Sequence, residues 1–124
     1  MAKGILMAKV VDHAALVAAI PAAFPVVFGH HVTLAFGVDL ADVAHFVGRV
    51  FNVRATVNAH NGDIHAVRVD LPAGIPCGNA HPHITISAND GVKPVASNAM
   101  LAGDHTAMAI DVVIPVCVDF HAWN

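Results

Sequence analysis

Residues 81–87 read "HPHITIS", and residues 30–36 read "HHVTLAF". The shared element is His-x-Thr followed by an aliphatic residue, written as His31-Val32-Thr33-Leu34 and again, 52 residues later, as His83-Ile84-Thr85-Ile86. No other His-x-Thr or His-x-Ser occurs in the chain. In an extended strand, side chains at i and i+2 share a face at a spacing of about 7 Å. His31 therefore stands beside Thr33 and His83 beside Thr85, while Val32, Leu34, Ile84 and Ile86 point the other way into a core. Each copy is a polar pair on a rigid apolar backing, which suits groups that must be held in fixed positions.

Outward from these two stretches, "HHVTLAFGV" alternates, with Val32, Leu34, Phe36 and Val38 on the buried side and His31, Thr33, Ala35 and Gly37 on the other. Phe36 accordingly reads as core. Residues 3–10, "KGILMAKV", read as a strand, and Asp12 as the N-cap of a short Ala-rich helix that buries Leu16, Val17 and Ile20 and ends before Pro21. Asp39 would cap a second helix carrying Leu40, Val43, Phe46, Val47 and Val50 at helical spacing. Residues 51–60 and 63–71 form a hairpin around Asn61-Gly62. A strict two-residue loop would set Ala55 opposite Arg68 and mix the faces, so a bulge or a three-residue turn is expected.

"HPHITIS" is the next strand, with His81 on the face of His83, and a Gly- and Pro-punctuated stretch follows through Lys93, Pro94, Ser97 and Asn98. "AMAIDVVIP" and "VCVDFHAW" supply one or two closing strands, broken at Pro115. Strand runs with about two helices predict a single α+β domain over residues 1–124.

Composition sets the bounds on function. The 124 residues are 56% hydrophobic and 12% charged, enough for one domain with a dense core. A formal charge of −3 argues against a surface that tracks long nucleic acid by its phosphates. Cys77 and Cys117 form no CxxC or zinc-ligand spacing, and a reducing, cytoplasmic compartment is the plain reading. The apolar run behind Lys3 and Lys9 is broken by prolines and too short to span a membrane. The high apolar fraction also leaves room for a homo-oligomer interface. There is no Glu, Gln or Tyr, so every acidic side chain is an Asp; genomic bias or engineering would each leave such a composition.

Two imidazoles facing one another suit the cleavage of a phosphodiester. One deprotonates the attacking oxygen while the other protonates the leaving oxygen, and histidine titrates near neutrality for both tasks. The threonine hydroxyls donate to non-bridging phosphate oxygens as charge shifts. No metal or cofactor is required, and the near-symmetry of the motifs leaves open which histidine is acid and which is base.

"HVTL" and "HITI" resemble the paired signature of the two-histidine (2H) phosphoesterase superfamily. The wider context, "GHHVTLAF", "PHITIS" and "KPVASNAML", resembles a small phage-associated, RNA-repair-like branch, for which the compartment would be the host cytoplasm. The resemblance implies a bilobal α+β fold of two antiparallel sheets with approximate two-fold symmetry around a central cleft. It implies His31 and His83 as the acid/base pair, Thr33 and Thr85 as phosphate ligands, and Asn79, Ser97 and Asn98 as polar cleft residues. The substrate expected on this basis is a nucleotide or short RNA end carrying a 2′,3′-cyclic phosphate. Cyclic oligonucleotide signals come second, and a non-catalytic nucleotide-binding module of the same fold is the rival from another class.

Arg68 and Lys93 are further cations suited to a phosphate, whereas Arg54 reads as part of a polar sheet face near Asp70. His30, His60, His65 and His81 supply no ligand spacing that defines a metal site. Trp123 could stack on a base or close the core. No GxGxxG, Walker or GxSxG motif appears, and Cys77 lies in a Pro/Gly-rich turn without a base beside it in sequence.

Overall fold

The computed structural model describes residues 3–123. Strand β1 (Lys3–Val10) forms over the span read as a strand, with Leu6 and Ala8 fully buried. Asp12 Oδ1 accepts from Ala15 N at 3.0 Å and starts α1 (His13–Ala19), which buries Leu16. After the two-residue strand β2 (Val26–Val27) comes β3 (His31–Asp39), which carries the first motif. Asp39 does cap a helix, its Oδ1 accepting from Ala41 N. That helix, α2 (Leu40–Val43), is one turn long and passes into a 3₁₀ turn at Ala44–Phe46. The longer helix expected from the spacing of Val47 and Val50 is cut short because Val47 is extended, Gly48 takes φ 90° and Val50 already begins β4.

Strands β4 (Val50–His60) and β5 (Ile64–Asp70) form the hairpin, and the anticipated bulge is present. The β4–β5 pairing ends at His60↔His65, so the connection is four residues long, 61–64, with Asn61 Oδ1 accepting from Asp63 N and Ile64 N. A register shift then leaves Thr56 unpaired between Ala55↔Val69 and Val57↔Arg68. Strand β6 (His83–Ala88) carries the second motif and begins at His83, so His81 lies ahead of the strand rather than on its face. The stretch read as irregular holds a helix, α3 (Ala96–Ala102), whose Ser97, Met100 and Leu101 are buried. The closing strand is a single one, β7 (Thr106–Ala122), running through Pro115. Pro115 is tolerated because its carbonyl accepts from Val11 N, so its missing N–H faces the side where β1 has run out.

All seven strands belong to one antiparallel sheet in the order β2-β6-β3-β1-β7-β4-β5, and β5 pairs again with β6. That last pairing closes β6-β3-β1-β7-β4-β5 into a ring, with β2 added beside β6. The α+β class holds, while the strands join in one continuous sheet instead of the two separate sheets expected. The inward side carries Leu6, Ala8, Val32, Leu34, Val53, Val67, Ile84, Ile86, Val116 and Val118, joined by Leu16 and Ile20 of α1. A smaller cluster of Ala59, Ile64, Ala66, Ala88, Met100 and Leu101 seats α3 on the outer side. No helix is long and apolar enough to cross a membrane among the described residues.

Candidate functional site

β3 and β6 meet at one residue pair, Val32↔Ile84. Next to that single bridge, His31 and Thr33 on β3 and His83 and Thr85 on β6 lie on the face opposite Val32 and Ile84. The two motifs thus form a lattice of two histidines and two threonines at the β3–β6 seam, with neighbouring strands about 5 Å apart. All four side chains are half-buried. The approach to this seam is set by Gly29: with φ 84°, it donates to Thr85 O at 2.8 Å, after which the chain steps over to the Val32↔Ile84 register. A Cβ at Gly29 would also press on Leu16 and His13, at 3.1 and 3.3 Å.

The two histidines are held differently. His83 Nδ1–H donates to His81 O at 2.8 Å, which fixes the tautomer and leaves Nε2 as the free nitrogen. Burial pushes the His83 pKa below the ordinary imidazole value, partly offset by that backbone hydrogen bond. Burial also lowers His31, with further depression from the positive potential of His30, His83, Lys9 and His121, and its ring finds no hydrogen-bond partner among the described residues.

Thr85 Oγ1 shares a 2.8 Å hydrogen bond with the fully buried Ser97 Oγ. With Ser97 as donor, the Thr85 proton goes to the Pro94 carbonyl at 3.4 Å, a long bond that an incoming oxygen would have to replace. Asn79 Nδ2 donates to Asn98 Oδ1 at 2.8 Å, and Asn79 Oδ1 accepts from His81 N at 3.0 Å. Asn79, Ser97 and Asn98 are therefore gathered near the second motif, where they tie α3 and the 79–81 turn to β6. Arg68 is the direct partner of His83 on β5. Lys93 is exposed at the entry to α3, next to Pro94, whose carbonyl accepts from Thr85 Oγ1 at 3.4 Å. Arg54 is taken up by Asp111 at 2.8 Å, an exposed ion pair remote from the lattice in register.

Phe36 departs from the core position read from the alternation. Leu6 pairs with Ala35 and Met7 with Thr33, so Leu34 is an extra residue and the alternation reverses beyond it. Phe36 emerges 72% exposed on the face of Thr33, against Trp123 at 4.8 Å between ring centroids. Among the described residues no three His, Cys or Asp side chains cluster as a metal site.

A family model described as the fungal tRNA ligase phosphodiesterase domain matches residues 29–112, a span containing both motifs. The chain belongs to this family. It is thereby a phosphodiesterase domain of the two-histidine superfamily, as the duplicated motif predicts. The match speaks to the superfamily, and not to the phage-associated branch. No curated protein and no solved structure matches the chain significantly. The matched span leaves out β1, α1, β2 and β7 beyond Val112, and so omits Lys9 and Trp123.

Proposed function

We propose that this domain hydrolyses a 2′,3′-cyclic phosphate at a nucleotide or RNA end, with His31 as general base and His83 as general acid. The observation that carries the reading is the Val32↔Ile84 pairing, which brings the two His-x-Thr motifs onto adjacent strands. A family named for the phosphodiesterase of an RNA ligase supports the RNA-end substrate.

In the step itself, water attacks phosphorus and the bond from phosphorus to one ribose oxygen breaks. His31 takes the proton from water, and His83 delivers its Nε2 proton to the leaving ribose oxygen. The product is a terminal phosphomonoester beside a restored hydroxyl, and proton exchange with solvent resets the pair. His31 suits the base because burial and surrounding cations disfavour its protonated form. His83 suits the acid because the His81 carbonyl stabilises its imidazolium. Thr33 and Thr85 donate to the non-bridging oxygens, and Arg68, beside His83, neutralises charge there. The exposed Phe36–Trp123 pair offers a flat apolar surface to the terminal base. The sequence of proton transfers uses no metal.

The test is turnover of 2′,3′-cyclic nucleotides after EDTA treatment, in wild type, His31→Ala and His83→Ala. Activity that survives EDTA and is lost in each variant supports the reading. Tight nucleotide binding without turnover in wild type would leave a binding module and sink it.

A further inference from the structure

Lys9 lies outside the span matched by the phosphodiesterase family. Its direct partner on β3 is His31, so it rises on the motif face one strand away, about 5 Å between strands. Lys9 stands to His31 as Arg68 stands to His83, each being the partner of a motif histidine on the strand outside it. Beside Lys9 is an open depression of about 480 Å³, lined by Val10, Val11, Val47, Cys117 and Asp119. Val11 and Val47 are 60% and 40% exposed, an apolar floor without a covering group among the described residues. The ionic partner of Lys9 is Asp119 at 3.7 Å, with both side chains more than half exposed, a contact that contributes little in water. An ammonium at the rim of an apolar hollow, next to a phosphodiester site, matches the two halves of a nucleotide: phosphate for the cation, flat base for the valines.

We propose that the Lys9 depression is a subsite for the second nucleotide of the substrate, with Lys9 on the phosphate that links it to the terminal nucleotide and Val11 and Val47 under its base. The preferred substrate is then an RNA end of two or more nucleotides instead of a mononucleotide. This inference rests on the cyclic phosphodiesterase reading above. Phosphate displaces Asp119 from Lys9 because a charge-assisted hydrogen bond to phosphate outweighs a long exposed pair.

The experiment compares kcat/KM for adenosine 2′,3′-cyclic phosphate and for a diadenosine dinucleotide ending in the same cyclic phosphate. Lys9→Ala should lower the dinucleotide-to-mononucleotide ratio by about tenfold, the effect of one lost phosphate contact. Lys3→Ala, which removes the same charge at the far end of β1, should leave the ratio where it was. Equal loss on both substrates in Lys9→Ala, or an equal fall in Lys3→Ala, overturns the subsite. If wild type turns over neither substrate, the enzymatic reading fails by itself. The subsite is then decided by dissociation constants of the mono- and dinucleotide 2′-phosphates: an affinity gap closed by Lys9→Ala keeps it, and equal affinities remove it.

Discussion

Val32 and Ile84 are direct partners across β3 and β6, and that pair brings the two His-x-Thr motifs onto adjacent strands. Both residues are fully buried, so the spacing of the four polar side chains above them is set by packing below. Ile84→Ala should destabilise the domain by about 2–4 kcal/mol through the cavity it leaves, and Ile84→Val by about 1 kcal/mol. Urea unfolding measures both, and a loss below about 1 kcal/mol for the alanine variant would mean that the seam is not packed as described.

The general-acid and general-base roles predict a loss of about 10²–10⁴ in kcat for His31→Ala and for His83→Ala. Their folds should survive, since both rings are only half-buried. Circular dichroism with single-turnover kinetics separates the two effects; a variant that keeps more than a tenth of wild-type kcat does not carry an acid or base.

Activity should also depend on pH in a defined sense. His31 must be neutral and His83 protonated, and burial lowers both below the ordinary value of about 6.5. The profile of kcat/KM therefore rises as His31 deprotonates, falls as His83 loses its proton, and peaks on the acid side of about 6.5. A plateau extending to alkaline pH would exclude these assignments.

Phe36→Ala removes an exposed ring, so its unfolding midpoint should stay near that of wild type while KM rises several-fold. If Phe36 were core, the same substitution would cost about 3–5 kcal/mol, and one thermal melt distinguishes the cases.

A separate network governs stability. His65 is buried, and its Nδ1 accepts from Ala23 N at 3.3 Å, so Nε2 carries the proton and donates to Asn58 Oδ1 at 2.5 Å. The Ser87 hydroxyl donates to the same Nδ1 and accepts from Ala23 N and Phe24 N. Burial lowers the His65 pKa, so its neutral form is favoured on folding and its contribution is fully present above the unfolded value of about 6.5. Stability should fall as pH drops through the lowered folded value. Ser87→Ala should cost about 1–3 kcal/mol by stripping Phe24 N of its acceptor and leaving Ala23 N only the longer bond to His65 Nδ1. Urea midpoints from pH 5 to 8 test the first point, and a flat wild-type curve would contradict it.

Much of this domain was legible in sequence where the signal was local. The Asp12 and Asp39 caps and the turn at Asn61-Gly62 each depend on residues within a few positions of one another. The same is true of the polar pairing within each motif. Misreadings arose where local pattern met a distant partner. Phe36 follows a perfect alternation and still faces outward, because β1 opposes β3 with one residue fewer. Helix α3 was hidden in a Pro-punctuated stretch, since what holds its short apolar face is the β5–β6 surface far away in the chain.

The sequence by itself determined that His31 and Thr33, and His83 and Thr85, stand in pairs on strands with apolar backs, since strand periodicity is a property of successive residues. It also determined that every acidic side chain is an aspartate and that neither glutamate nor tyrosine can act in the site, because both are absent. Only the tertiary structure decided that the pairs interlock across a single residue bridge, that the sheet closes through β5 and β6, and that Lys9 and Arg68 flank the histidines. Register between strands is chosen by the packing of whole faces and by bulges at particular positions, and no window along one strand contains that information.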